Sequence, residues 1–138
     1  MEEWEELVQR RRPTPADVDA LARRHRILCG KWMAFPRSAT EADAAWGAVA
    51  RAAAGGALAC PEVKISSASP RDASHVICCY TDDYLNKTEV DATAAALRAV
   101  LPPLQFSRLL YKSDLYTYLG LYKGNEYGLR PTLYEARL

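Results

Sequence analysis

Lysines set among tyrosines are the residues in this chain with the clearest chemical potential. The densest case is Leu109 to Tyr122, LLYKSDLYTYLGLY, where four tyrosines and five leucines surround Lys112 and Asp114. A tyrosine offers a flat apolar body with a hydroxyl at its tip, and a lysine offers a point charge for phosphate. Lys64, Lys112, Tyr116, Tyr118 and Arg130 are therefore the candidate ligand-binding residues: the rings would stack a base and the cations would meet phosphate. The chain has no HExxH, GxSxG or P-loop signature and no paired catalytic carboxylates. A non-catalytic binding module for a nucleotide, an RNA end or another phosphorylated ligand is the reading that these residues favour.

Composition narrows the field. At 138 residues the chain makes one domain that buries about two-thirds of its unfolded surface without a metal or disulfide staple. A net charge of +1 excludes bulk electrostatic capture of nucleic acid or membrane, so any anion site must be local. Cys29, Cys60, Cys78 and Cys79 show no CxxC spacing and no companion histidine pair, so neither metal nor cofactor is expected and the thiols read as reduced. No apolar stretch approaches the roughly 20 residues of a membrane span, and the acidic start MEEWEE is unlike a secretory signal. The expected location is the cytoplasm or nucleus, with no membrane partner.

The elements that must position those residues follow from periodicity and punctuation. Residues 1–13 read as an arm or short helix carrying the run Arg10, Arg11, Arg12, and 14–138 as a single α+β domain. Thr14, Pro15 and Asp17 open a helix with a capping box, and its inward stripe is Val18, Leu21 and Ala22, with Gly30 as the stop. Lys31 to Phe35 reads as a buried strand. A second helix is expected from a Thr40 cap, with Ala42, Ala45, Trp46, Val49 and Ala53 inward and Gly55 at its end. Glu62 to Ser66 and His75 to Thr81 read as a hairpin around the polar loop Ser67 to Ser74. A third helix is expected from Thr88, ending before Pro102 and Pro103.

Leu109 to Lys112 and Leu115 to Tyr122 then read as strand, broken by a bulge at Ser113 and Asp114, with Leu115, Thr117, Leu119 and Leu121 on one face and the tyrosines on the other. Leu129 to Tyr134 is the last expected strand, with Pro131 confining it to an edge or bulge. Helices separated by adjacent strands predict an antiparallel sheet with about three helices on one face and the other face free. Lys64, Tyr116 and Tyr118 would share that free face.

GKWMAF at Gly30 to Phe35, EADAAWGAVARAAAGG, HVICCYTDDY, LLYKSDLYTYLGLY and the terminal RPTLY together resemble the basophilic leukaemia-expressed protein family. The resemblance implies a fold like that of the cap-binding translation initiation factor, a curved antiparallel sheet backed by helices with a concave face open to ligand. It implies stacking of a modified guanine between two tryptophans, yet no tryptophan follows Trp46 here, so a tyrosine would complete such a stack. It also matches Trp46 to a helix position that docks protein partners. Labels in the broader group imply an alternative, a phosphothreonine-lyase-like enzyme, in which Lys64 or Lys112 would be the base and Arg130 a phosphate clamp. The Lys-x-His signature of true lyases is absent, since Ile65 and Ser66 follow Lys64.

Overall fold

Thr14 begins the domain's first well-marked helix as its sequence requires. Its hydroxyl accepts from the Asp17 backbone N–H, and the Asp17 carboxylate accepts from the Thr14 N–H at 2.7 Å, closing the capping box with Pro15 in the first turn. In the computed structural model, which describes residues 1–66, 74–102, 106 and 108–137, the chain runs α1 (Glu2–Arg10), α2 (Pro15–His25), β1 (Gly30–Ala34), α3 (Ala39–Ala54), β2 (Val63–Ile65), β3 (Ile77–Thr81), α4 (Lys87–Val100), β4 (Arg108–Ser113), α5 (Asp114–Tyr118) and β5 (Tyr134–Arg137). The strands form one open antiparallel sheet in the order β2-β3-β1-β4-β5. The expected α+β class with an antiparallel sheet and packed helices is what the chain adopts.

Register divides the sheet into two faces, because directly opposed residues share a face. Trp32 lies opposite Cys79 and Tyr111, and Val63 lies opposite Cys79, so Trp32, Ala34, Ile77, Cys79, Thr81, Leu109 and Tyr111 form the inner face. All seven are buried, and they join Val18, Leu21, Ala45, Val49, Val90 and Leu97 of α2, α3 and α4 in one core. Three of the aromatic tips within it are paired, as burial demands. Trp32 Nε1 donates to the Val90 carbonyl at 2.8 Å, Tyr84 donates to Asp19 at 2.6 Å, and Thr81 Oγ1 lies 2.6 Å from the Tyr111 hydroxyl.

Several expected boundaries move. Helix α2 stops at Arg26, whose left-handed φ of 55° ends it, and Gly30 instead opens β1. The caps of α3 and α4 fall two residues earlier than Thr40 and Thr88: Ser38 accepts from the Glu41 N–H and Asn86 from the Glu89 N–H. The larger correction concerns Leu115 to Tyr122, which is not a strand. Ser113 ends β4 and caps α5 by accepting from the Tyr116 N–H, and Gly120, at φ 72°, turns the chain after it. The final strand starts only at Tyr134, so Pro131 precedes it instead of interrupting it. The polar loop Ser67 to Ser74 lies outside the described residues except for Ser74, and Pro103 lies outside them too.

Helix α1 and the residues after it are tied to α2 by ion pairs and to the segment before β5 by an aromatic contact. Glu3 accepts from Arg24, Arg11 holds Asp17 through two guanidinium hydrogen bonds, and Trp4 meets Tyr127 edge-on with centroids 5.2 Å apart. Arg12 donates to the Tyr127 carbonyl. Two of the three consecutive arginines thus hold the N-terminal segment in place.

Candidate functional site

The outer face of the sheet carries the complementary set of alternating residues: Lys64 on β2, Cys78 and Tyr80 on β3, Lys31 and Met33 on β1, Leu110 and Lys112 on β4. Lys31 stands directly between Tyr80 and Lys112 in register. Opposed residues on neighbouring strands have Cα atoms about 4.5–5.5 Å apart. Two lysines so placed repel, and a like-charged cross-strand pair is destabilising unless something neutralises it.

Lys31 is neutralised. Its Nζ lies 3.0 Å from Asp114 Oδ1 and 5.6 Å from the centre of the Tyr80 ring. Lys112 is not: among the described residues no carboxylate lies within ion-pair distance of its Nζ, whose marked contact is the Tyr122 ring at 4.0 Å. Yet Lys112 is only 7% exposed. Burial, and then the neighbouring Lys31, pull its proton affinity below the ordinary lysine value. With Lys31 and Asp114 cancelling, the cluster carries one positive charge at Lys112. Asp114 is in turn fixed by its N–H donating to the Cys29 carbonyl at 2.9 Å, at the point where α5 leaves β4.

Met33, Leu110 and Cys78 pave the face beside this charge, on one cross-strand row. Burial pushes the Cys78 thiol up, with Lys31 and Lys64 opposing, so at neutral pH it is an apolar floor and not a thiolate. The Tyr80 hydroxyl is also pushed up, to about 12, by burial and then by the charges around it. It is a neutral donor.

The sequence-selected residues divide. Lys64 and Lys112 do share the open face, but three inter-strand steps and a two-residue offset separate them. At 4.8 Å per step and 3.4 Å per residue their Cα atoms lie roughly 16 Å apart. Tyr116 and Tyr118 do not join them. Tyr116 is 1% exposed, inside the core beside Leu115, and Tyr118 is 67% exposed on the short helix α5. Arg130 is exposed in the loop that follows Leu129. Trp46 is half-buried against the core from α3, and Trp32 faces the core and not the open side, so neither offers a stacking plane on this face.

Lys31, Tyr80 and Tyr122 take the places that had been expected of Lys64, Tyr116 and Tyr118. The signal for the first two was available in the alternation of KWMAF and ICCYT, which puts Lys31 and Tyr80 on the polar side of their strands. Tyr122 could not be placed that way, because it reaches Lys112 from beyond a helix and a turn.

A separate groove of about 380 Å³ lies between α1 and α2, lined by Glu3, Leu7, Arg11, Asp17, Leu21 and Arg24. Two ion pairs cross it, Arg11 with Asp17 and Arg24 with Glu3, and Glu6 and Arg10 line it as well. It serves to dock α1. No group of metal-ligating side chains occurs among the described residues, and none of their helices is long and apolar enough to cross a membrane.

A family model described as basophilic leukemia-expressed protein Bles03 matches residues 3–120, which spans every element named here except β5.

Proposed function

The chain belongs to the basophilic leukemia-expressed protein Bles03 family, and from that premise we propose that it is a binding module whose open sheet face takes a ligand with a phosphate group and a planar part, such as a nucleotide or an RNA end. The Lys31–Lys112 pair carries this reading. A nearly buried ammonium with no carboxylate, set opposite a second lysine, costs stability in the free chain and is relieved by an incoming anion. A base laid over Met33 and Leu110 sits one pleat from Lys31 and Lys112, roughly 7 Å between Cα atoms. Tyr80 and Tyr122 supply the flanking rings. Lys64 is too distant to share that phosphate and would meet a second one in a longer chain. Arg130 and Tyr118 would serve at the rim, and Tyr116 supports the sheet from within. Four free cysteines suit a reducing compartment, the cytoplasm or nucleus.

Titration with nucleoside 5′-monophosphates and with capped and uncapped dinucleotides, followed by tyrosine fluorescence and amide chemical shifts, tests it. Shifts should centre on Lys31, Met33, Tyr80, Leu110 and Lys112. Lys112→Gln should weaken binding by about tenfold or more, as loss of a hydrogen bond to a charged group does. No response at millimolar ligand overturns the reading.

The weakened proton affinity of Lys112 favours one second reading, in which it removes a proton during elimination of phosphate. Incubation with a phosphothreonine peptide should then release phosphoric acid, seen as a mass loss that Lys112→Gln abolishes. An unchanged peptide mass rejects it.

A further inference from the structure

We propose that Lys112 is a carbonyl-reactive amine, which takes an aldehyde or ketone on the open face of the sheet as an imine. The geometry has three parts. The side chain is 93% sequestered on an interior strand of the sheet, so water stabilises its charge poorly. Lys31, directly opposite in register, is a neighbouring lysine fixed in place by its ion pair with Asp114. The amine tip still meets solvent: of the described buried polar atoms only Thr117 Oγ1 lacks a partner. A lysine that is desolvated, beside a second lysine and without a carboxylate is the arrangement that raises the share of free amine.

The Tyr122 ring opposes this, since a ring face favours the ammonium form. That ring is 58% exposed and sits on a loop past α5, so it can leave the amine without disturbing the sheet. Burial, and then Lys31, act in the opposite sense and lower the amine's proton affinity. None of the other lysines combines these features. Lys31 pairs with Asp114, Lys87 pairs with Asp91, and Lys64 and Lys123 are exposed.

The chemistry balances without a further reagent. The Nζ lone pair adds to the carbonyl carbon while the C=O π pair moves to oxygen. A proton passes from nitrogen to that oxygen through solvent, giving a carbinolamine. The nitrogen lone pair then forms C=N as the oxygen, protonated once more, leaves as water, and the iminium nitrogen returns that proton to solvent. The sum is amine plus carbonyl to imine plus water, with no change of oxidation state. The amine reactivity stands on Lys112 and its surroundings alone. Only a preference for carbonyl compounds that also carry phosphate rests on the binding reading above, with Lys31 then left to hold the phosphate.

The test uses the full chain with pyridoxal 5′-phosphate or with phosphate-free pyridoxal, each trapped by cyanoborohydride near neutral pH, and peptide mass mapping of all five lysines. Lys112 should label faster than Lys87 and Lys123, by roughly threefold or more. Lys112→Arg should remove that label and leave the others unchanged. Lys31→Met, which removes the neighbouring cation and keeps the nucleophile, should slow it. Selectivity with both probes supports the amine whatever the nucleotide titrations show, and a greater rate with the phosphate form supports the anion preference in addition. Equal labelling of the lysines, or a Lys112 rate indifferent to Lys31→Met, overturns the proposal.

Discussion

Lys112 is a residue whose free-state energetics run against its own fold. Its ammonium is desolvated, faces another lysine and gains only a ring contact in return. Lys112→Met keeps the stem's packing and removes the charge, so it should raise stability at neutral pH by on the order of 0.5–2 kcal/mol, the usual range for relieving a functional compromise. The sign with pH follows from the lowered proton affinity. The unfolded chain binds this proton more tightly, so stability climbs as pH rises toward the ordinary lysine value, and that climb is missing from the variant. Urea unfolding at several pH values reads both effects. The two tyrosines of α5 part in the same measurement. Tyr116→Ala empties a core site and should cost about 3–5 kcal/mol, while Tyr118→Ala, at a surface position, should stay within about 0.5 kcal/mol.

Among the elements, the start of α2 was legible to the residue because its signal is unambiguous. Thr14, Pro15 and Asp17 admit one cap register, and Arg11 reinforces it: Arg11 first, then the Thr14 N–H, hold the Asp17 carboxyl far below the usual range. Asp17→Asn should therefore cost about 1 kcal/mol, the worth of a helix cap. The gap from the unaltered chain should persist through mildly acid pH. A depressed carboxylate contributes stability above its unfolded value, about 3.9, and loses it as pH falls toward the folded one. Thermal melts down that series check it. Overlapping signals explain the two-residue slip at α3 and α4, where Ser38 with Glu41 and Asn86 with Glu89 stand just ahead of the Thr40/Asp43 and Thr88/Asp91 pairs and win. The misread of Leu115–Tyr122 has another cause. A five-residue helix has barely more than one turn in which to show its period, whereas leucines and tyrosines that alternate mimic a strand. Ser113 and Asp114 were the informative pair, a cap and a first-turn acid that also pass for a bulge.

At the scale of the whole molecule, the site depends on β1, which joins the β2–β3 hairpin to β4 and β5 and carries Lys31 outward and Trp32 inward. Its short apolar and aromatic run, closed by Pro36, made its place readable. The fold's most exacting fit was not readable, because it lies across strands: Gly30 leaves room for the Tyr111 ring, whose hydroxyl meets Thr81 beneath it. A methyl group at Gly30 would stand 2.1 Å from that hydroxyl and 2.5 Å from the ring carbon bearing it. Neither can retreat cheaply, since Tyr111 is fully buried between Trp32, at 5.2 Å, and Tyr134, at 5.4 Å. Gly30→Ala should accordingly cost about 1–3 kcal/mol, as overpacking does. It should also shift the register neighbours Thr81 and Ser113, which bracket the end of the sheet where Lys31, Tyr80 and Lys112 meet. Loss of stability in urea together with slower carbonyl labelling at Lys112 would tie the integrity of this strand junction to the reactivity of the amine. An unchanged labelling rate in a measurably destabilised Gly30→Ala chain would show that the amine's environment is set locally, by Lys31 and the sheet face alone.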